Sequence, residues 1–518
     1  MFVCVYLSFN KILGSFLEDY SSISVIPNME PSAIAAGDDR GIYDQILLDI
    51  VTYVFHFEVT SPRAWERARI ALLDSLGCAM ESLAISPECV KLLGPVVPKT
   101  IVPNGFRLPG TSFQLDPVKG AFDLGTMIRY LDHNDAYPGA EWGHPSDNLG
   151  ALIAVSDWLS RLADPAHTGP PLTLRSLLTA QIKAYEIQGC FQIRNAFNAV
   201  GLDHTILIKV ASTALISWLL GLSESQTLAA LSQAWQDGHP LRTFRQAPNT
   251  GPRKGWAAGD ACMRAMHLAL LTRTGQPGAP KVLTAPRWGF YAAMFGDKEF
   301  VLPRPYGSWV MESVFFKLIP AEGHGISAVE ATIQLAGMMA QQGLSAESDI
   351  EKVLIRTQAA ACTIIDKKGH LYNAADRDHC MQYMLAVVLL KGRVIETSDY
   401  HDESPWASDP RVDALREKMH IVEDEQFTRD YHDQKVRSGA SGVKIITKDG
   451  AQLEEVVVEF PFGHPKRPDT LRKVKEKFRR NMGLIFEDNK AEEVLKAVEI
   501  DDMAVHEFID LLSKAEKF

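Results

Sequence analysis

Apolar residues recur at helical spacing almost throughout residues 43 to 275, and this pattern constrains the fold more than any other feature. The segment 61–84 places them at i, i+3, i+4 and i+7, and Ser61 followed by Pro62 is typical of a helix start. The segment 204–222 is apolar around most of its circumference. A helix of that kind needs neighbours on every side, so we expect a multilayer helical domain.

The pattern changes after residue 275. Residues 350–358 and 440–461 alternate or cluster β-branched side chains, and the second segment reads as a hairpin that turns at 448–450. Helical spacing returns from about 465. We therefore predict a mostly α chain with an α+β part, in which a multi-helix domain formed by both chain ends carries an inserted α+β lid domain.

These changes divide the chain into four predicted parts. They are a poorly ordered N-terminal extension (1–40), a first helical part (41–275), the α+β lid (276–464) and a C-terminal helical part (465–518). The apolar N-terminal stretch lacks a basic leader and a small-residue cleavage site, and polar residues break it before it could span a bilayer. We interpret it as a dispensable extension and expect a cytoplasmic protein.

Composition limits the classes of ligand. With 53 Lys and Arg against 64 Asp and Glu, the formal net charge is −11, and no basic stripe is present, so neither nucleic acid nor membrane is an expected partner. Seven scattered cysteines without C-x-x-C spacing argue against a disulfide framework, an iron–sulfur cluster or a zinc site. The sequence also lacks dinucleotide, P-loop and His-x-x-x-His metal motifs. We expect no metal and no cofactor.

The connector 131–148, LDHNDAYPGAEWGHPSDN, concentrates ionisable groups between two predicted helices. Part of it has an ordinary explanation, because Ser146 or Asp147 is well placed to cap the following helix. Capping does not explain Asp132, Asp135 and His144. A carboxylate-rich helix end that meets a helix start with a histidine is a candidate acid–base site.

Two further clusters carry the same kinds of side chain. Asp203 and His204 stand at the start of an apolar helix, where Asp203 reads equally well as a simple N-cap. The segment 241–261 holds four cations around the turn Pro248-Asn249-Thr250-Gly251, for which a solvated basic loop is the structural alternative: Arg242, Arg245, Arg253 and Lys254. Carboxylates, histidines, a lysine and arginines together suit acid–base chemistry on a small polyanion.

Five motifs, in the same order along the chain, resemble those of the 2-methylcitrate dehydratases, relatives of the cis-aconitate decarboxylases. They are RYLDHNDAYPGAEWGHPSDNLG, YEIQGCFQIRNAFNAVGLDHTILIKVAST, LRTFRQAPNTGPRKGWAAGDA, RPYGSWVMESVFFK and DKKGHLYNAADRDHCMQYM, and the similarity runs from about 43 to about 515. The resemblance implies a helical domain built from both chain ends, an inserted α+β lid, and a homodimer. It also implies a hydro-lyase that removes water from a 2-alkyl tricarboxylate without an iron–sulfur cluster.

The same resemblance implies the site residues by motif position. A histidine base would take a proton from carbon, a second histidine would protonate the leaving hydroxide, and cations would hold the carboxylates. The order of the two histidines stays open. The implied catalytic residues are Asp132, His144, His204 and Lys254, and the implied substrate-binding residues are Asp135, Arg245, Arg253 and His324.

The chain departs from the family pattern at two places. His133, Ala136 and Tyr137 replace the family's phenylalanine, threonine and tryptophan, and the segment 317–325 is one residue shorter, with Ile319 in place of an aromatic residue. We therefore hypothesise a substrate with a longer alkyl chain than methylcitrate, as in secondary-metabolite biosynthesis. The alternatives are 2-methylcitrate itself, as in propionate catabolism through the methylcitrate cycle, a cis-aconitate-type decarboxylase, and an inactive tricarboxylate-binding protein.

Overall fold

The computed structural model describes residues 42–236, 238–245, 250–433, 435–487 and 489–514. The predicted extension 1–40 and part of the predicted turn 248–251 lie outside the described residues. Among the helices of the described ranges, none combines the length and apolarity needed to cross a membrane.

The first part of the chain is almost entirely helical, as its periodicity predicts. Two two-residue strands, β1 (Phe106–Arg107) and β2 (Gln114–Leu115), form a small antiparallel pair between its helices. The helices are α1 (Gln45–His56), α2 (Pro62–Ile85), α3 (Pro87–Val90), α4 (Pro117–Arg129), α5 (Leu149–Leu162), α6 (Leu174–Arg194), α7 (Thr205–Leu219), α8 (Glu224–Ala234), α9 (Ala257–Arg273), α10 (Phe290–Met294) and α11 (Trp309–Ser313).

Local chemistry explains where these helices begin and why three of them pack so closely. The Ser61 hydroxyl accepts the Ala64 N–H at 3.3 Å, with Pro62 as the first helical residue, which confirms the predicted start of α2. Helix α4 packs against both α5 and α9. A Cβ atom on Gly150 would lie 2.5 Å from the backbone of Gly125, so glycine is required for this contact between α4 and α5. The tight packing fixes the end of α4, from which the charged connector departs.

The second part combines helices with one mixed sheet. The sheet order is β4-β3-β5-β6, in which β3 pairs parallel to β4 and antiparallel to β5, and β5 pairs antiparallel to β6. The predicted hairpin is confirmed, with Gly450 at φ +85° in its turn. The elements are α12 (Ile326–Gln341), β3 (Ile350–Thr357), α13 (Ala359–Ile364), α14 (Ala374–Arg377), α15 (Met381–Lys391), α16 (Pro410–Glu417), β4 (Met419–Glu423), α17 (Glu425–His432), β5 (Ser441–Thr447) and β6 (Val456–Val458).

Three helices close the described chain: α18 (Thr470–Met482), α19 (Lys490–Ala497) and α20 (Val505–Asp510). Helix α18 packs on α2, and α20 packs on α5. The C-terminal segment therefore completes the helical domain begun near residue 43. The predicted fold class, a helical domain built from both chain ends together with an α+β part, is confirmed.

Two hydrophobic cores underlie this arrangement. The larger one takes side chains from the first helical part and from α18 to α20, and the smaller one packs α12 and α15 against the sheet. Most buried apolar side chains between 282 and 316, a segment predicted to belong to the lid, lie in the larger core, and Phe315 lies in the smaller one. The reason is a group of aromatic rings, Phe290, Phe295 and Phe300, which pack on Trp235 and one another.

Candidate active site

The connector between α4 and α5 contains a buried ion cluster centred on Asp132. Helix α4 ends at Arg129, and three residues later the chain turns sharply, so that Asp132 has φ +53° and is only 4% exposed. This turn brings the Asp132 carboxylate back onto the helix end, where Arg129 donates to it from Nη1 at 2.6 Å. A left-handed aspartate of this kind is uncommon, and its short polar side chain tolerates the conformation better than most.

Two lysines from distant parts of the chain converge on the same carboxylate. Lys317 donates from Nζ to the carboxylate at 2.5 Å and to the Asp132 carbonyl at 3.0 Å, and Lys254 Nζ lies 3.4 Å from the other carboxylate oxygen. Burial opposes charge on Asp132, but Arg129, Lys317 and Lys254 outweigh it and hold its pKa well below the usual value. Asp132 is therefore an anion that gathers three cations.

Lys254 also contacts a second anionic group, from the α+β domain. Its ammonium lies 2.6 Å from the Asp378 carboxylate and 3.4 Å from Nδ1 of His379. Asp132, Asp378 and His379 place their ligand atoms within 4.8 Å of one another, close enough to hold a metal ion. The Lys254 ammonium lies between these three side chains and supplies positive charge there.

His144 is held so that one ring nitrogen faces the cations. Its Nδ1 donates to the Asp135 carbonyl at 2.7 Å, and its Nε2 accepts from Arg129 Nη2 at 3.0 Å. Burial, together with Arg129 and Lys317, lowers the pKa of His144 well below 6.5. The ring is therefore neutral at pH 7, and the lone pair on Nε2 points towards the cluster.

His204 lies beside His144, with their ring centroids 5.7 Å apart. Both ring nitrogens of His204 are buried, and neither has a hydrogen-bond partner among the described residues. Its Nδ1 is 3.8 Å from Asp203, whose carboxylate accepts from Arg245 at 2.6 Å. Burial lowers the pKa of His204 well below 6.5. An uncommitted buried imidazole next to a second one is the arrangement expected of an acid–base pair before substrate arrives.

The predicted capping role of Ser146 and Asp147 is wrong. Both side chains accept hydrogen bonds from the Asn134 amide at 2.8 Å, and α5 begins without a side-chain cap. Asp147 is fully buried, and its nearest cation is Arg129 at 4.0 Å, so burial raises its pKa to about 7. Two aspartates of one connector are thus shifted in opposite directions by their surroundings.

Asp135 and Arg245, two of the four predicted substrate contacts, support the histidines instead of facing the cluster. The Asp135 carboxylate accepts from the Ser146 N–H at 3.0 Å and the Tyr185 hydroxyl at 2.7 Å, while its carbonyl orients His144. Arg245 pairs with Asp203 behind His204. Both positions fit side chains that orient a histidine.

The other two predicted substrate contacts, Arg253 and His324, lie outside the ion cluster around Asp132. The Arg253 side chain is 39% exposed, stacks on Trp256 and lies 3.6 Å from Asp260. His324 is buried, with Nδ1 against Glu322 at 2.9 Å and Nε2 against the Tyr431 hydroxyl at 3.1 Å. Neither side chain contacts Asp132 within the described part of the chain.

The departures from the family pattern lie around the cluster. His133 faces away from it and pairs with the buried Glu81 at 2.7 Å. Ala136 is buried in the smaller core, where its backbone exchanges hydrogen bonds with Phe315 at 2.8 and 2.9 Å. Tyr137 is buried beneath the guanidinium of Arg437, and Ile319 packs into the smaller core.

Four members of the cluster were not predicted from the sequence: Arg129, Lys317, Asp378 and His379. Arg129 could have been found, because it precedes Asp132 by three residues at a predicted helix end. Lys317 and Asp378 lie 185 and 246 positions from Asp132, and no local pattern connects them.

One cavity reaches this cluster from the surface. Lys254 and Asp378 line its inner end. Its apolar and aromatic lining includes Tyr130, Leu131, Ala374, Ala375 and Tyr400. Polar and acidic side chains line it as well: Ser86, Glu88, Thr397, His401, Asp402 and Glu403. Apolar side chains in the same cavity as the Lys254 ammonium suit a ligand that carries both an anionic group and hydrocarbon.

Comparison with known proteins agrees with the domain arrangement and the motifs. The model of the MmgE/PrpD N-terminal domain matches residues 48–303, and that of the MmgE/PrpD C-terminal domain matches residues 319–502.

Three relatives are similar over nearly the whole chain. The 2-methylcitrate dehydratase-like protein oryR of Aspergillus oryzae is 57% identical over 92% of this chain and 98% of its own length. The alkylcitrate dehydratase phiI of a fungal species is 53% identical over 90% of this chain and 94% of its own length. The 2-methylcitrate dehydratase of Escherichia coli K12 is 52% identical over 91% of this chain and 98% of its own length. The chain belongs to the MmgE/PrpD family.

Proposed function

We propose that this protein is a hydro-lyase that removes water from a 2-alkylcitrate to give the 2-alkyl-cis-aconitate. The observation that carries the proposal is the neutral His144, whose Nε2 accepts from Arg129 and lies 3.9 Å from the Asp132 carboxylate that Lys254 and Lys317 contact. A base among cations suits removal of a proton from carbon beside a carboxylate, because the cations stabilise the charge that builds on that carboxylate. The names of the family relatives support the same reaction class.

The proposed mechanism assigns one step to each histidine. A substrate carboxylate binds Arg129 and the two lysines, which frees His144 Nε2 from its hydrogen bond to Arg129. His144 then takes the proton from carbon, the C–H electrons form the C=C bond, and the C–O bond breaks. His204 is neutral in the free protein and takes up a proton when the substrate carboxylates bind beside it, because nearby negative charge favours the imidazolium. It then gives this proton to the leaving hydroxide, which departs as water.

The cavity that ends at Lys254 and Asp378 favours a substrate with an extended alkyl group. Tyr130, Leu131 and the alanines at 374 and 375 provide apolar surface in the same cavity as Lys254 and Asp378. A methyl group would cover little of this surface, whereas each additional buried methylene contributes about 0.8 kcal/mol. We therefore propose a chain longer than that of methylcitrate.

The test compares 2-methylcitrate with alkylcitrates of increasing length and follows the absorbance of the conjugated product. We expect kcat/KM to rise with chain length, and Ala374→Leu to lower it at least tenfold for the long substrates while methylcitrate changes less than threefold. Ala346→Leu, a half-buried alanine outside the cavity, serves as the control. A large preference for methylcitrate would refute the long-chain substrate.

The same assay separates the other reactions. Release of carbon dioxide in place of water would identify a decarboxylase. If His144→Ala left product formation unchanged, the assignment of the base would be wrong, and binding of every tricarboxylate without turnover would identify a binding protein.

We propose that the chemistry needs no metal, because the Lys254 ammonium already lies among Asp132, Asp378 and His379. Activity after dialysis against EDTA should equal that of the untreated protein, and its loss with recovery on adding one divalent metal would contradict this.

We further propose a cytoplasmic homodimer. Light scattering on the purified chain should give twice the chain mass of 57.4 kDa. A fluorescent fusion of the full chain should label the cytoplasm, and mitochondrial fluorescence would contradict the proposed location.

A further inference from the structure

A second cavity lies where the connector meets the α+β domain, and the proposed reaction does not use it. Its lining comes from α2, the connector, residues 313 to 323 and residues 431 to 466. It contains neither Asp132 nor the two histidines of the ion cluster. Its inner wall includes Trp142, from the same connector.

The charge of this cavity is of one sign. Arg63, Lys435, Arg437 and Lys466 line it, and no aspartate or glutamate of the described ranges does. None of the four cations forms an ion pair with another described residue. Arg437 and Lys466 donate only to backbone carbonyls, of Pro138 at 2.8 Å and Val436 at 3.0 Å. In a chain of net charge −11, four uncompensated cations around one cavity create a local field that attracts an anion.

The walls between these cations are apolar. The rings of Trp142 and Tyr431 and the side chain of Phe315 line the cavity together with several prolines. The Trp142 indole N–H is buried without a hydrogen-bond partner among the described residues. A buried donor without a partner costs about 1–3 kcal/mol, so an acceptor on a ligand would recover free energy there.

Two residues of the cavity wall, Trp142 and Tyr431, also contact His324, which does not line the cavity itself. The Trp142 and His324 ring centroids are 4.5 Å apart, and the Tyr431 hydroxyl lies 3.1 Å from His324 Nε2. Gly323 allows this packing, since a Cβ atom there would lie 2.3 Å from the Trp142 ring. The cavity is therefore a separate chamber that shares a wall with His324.

We propose that this second cavity binds an amphipathic organic anion, a carboxylate with an alkyl or aryl body. The carboxylate lies against the exposed ends of Arg63 and Lys435 and near Arg437 and Lys466. The hydrocarbon body packs against Trp142, Tyr431 and Phe315. The combination of cations at the mouth and rings at the wall is what selects such a ligand over a simple ion.

Calorimetric titration of the full chain with octanoate tests the proposal, with octanamide as the neutral isostere and inorganic phosphate as the anion without hydrocarbon. We expect saturable binding of octanoate, at least tenfold weaker binding of the other two probes, and at least tenfold weaker octanoate binding by the double variant Arg63→Gln/Lys435→Gln. Both substituted side chains are exposed, so the fold should be unaffected. Lys448→Gln, an exposed lysine in the hairpin turn, should bind octanoate like the unmodified protein.

The proposal is overturned if octanoate does not bind saturably, if the double variant binds it as well as the control does, or if phosphate or octanamide binds equally tightly. The test is independent of the proposed reaction, because it measures binding and the variants lie outside the ion cluster. Dehydration of alkylcitrate by the double variant, measured without octanoate, should match that of Lys448→Gln.

Discussion

Replacing Asp132 with asparagine should strongly destabilise the protein, whereas the same replacement of Asp147 should not. Asparagine preserves the size of the side chain and adopts positive φ readily, so the φ of +53° at position 132 is kept. What the variant loses is one negative charge in contact with three buried cations. Asp147 provides the matched control, because it lies in the same connector and is equally buried.

The size of the effect follows from the distances. At an effective dielectric constant of about 20, an attraction across the 2.5 to 3.4 Å that separate Asp132 from its cations is worth about 5 to 7 kcal/mol before desolvation. Desolvation offsets much of this, and breaking a buried ion pair costs about 3–5 kcal/mol in measured cases. We expect Asp132→Asn to lose about that much free energy of unfolding at pH 8.

For the control variant Asp147→Asn, we expect no loss of the free energy of unfolding. Burial raises the pKa of Asp147 to about 7, so at pH 8 the folded protein holds a charge that burial disfavours. A group whose folded pKa lies above its unfolded value destabilises the fold at high pH, and that penalty disappears as pH falls below its unfolded pKa. Asp147→Asn should therefore be neutral or stabilising at pH 8.

Urea unfolding of both variants at pH 8, followed by tryptophan fluorescence, measures the difference. If the free energies of unfolding of Asp132→Asn and Asp147→Asn differ by less than about 1 kcal/mol, the Asp132 carboxylate does not stabilise the three buried cations as its distances to them indicate. A decrease confined to Asp132→Asn supports the electrostatic reasoning.

Three further outcomes follow from buried groups. Lys477→Met should lower the thermal unfolding midpoint, because it leaves the Asp74 carboxylate buried without its partner at 2.9 Å. The double variant Lys477→Met/Asp74→Leu should recover part of the lost stability. A double variant no more stable than Lys477→Met would contradict the role of this ion pair. The pKa of His144 is lowered well below 6.5, and a catalytic base stays active until the pH falls through its pKa. The acid limb of the kcat/KM profile should therefore lie below pH 6.5. An acid limb above pH 6.5 would exclude His144 as the base. His133→Phe should lower the free energy of unfolding by about 1–3 kcal/mol, because it removes a hydrogen-bond partner of the buried Glu81. The preference of the enzyme among alkylcitrates of different length should stay the same. A changed preference in the rate assay would instead place His133 in substrate selection.

One contact of the ion cluster could be predicted from local sequence, and the others required the fold. Arg129 and Asp132 are three residues apart at a helix end, so their contact follows from helix geometry. The resemblance to a known family gave catalytic roles to His144, His204 and Lys254, which the residue pattern had already marked as candidates. It assigned Arg253 to the substrate, but that side chain lies against Trp256 near the surface, because the short 3-10 turn at Pro252–Gly255 directs Lys254 inward and Arg253 outward.

The sequence by itself determined the helices, the mixed α+β part and the return of the C-terminal helices, because periodicity and turn residues act over a few positions and persist in any tertiary context. Only the tertiary structure decided which charges meet. Lys317 and Asp378 reach the Asp132 cluster from more than 180 positions away, and Ser146 and Asp147 bond to Asn134 in place of the helix end. Electrostatic contacts depend on distance in space and on burial, and both are set only when the two cores have packed.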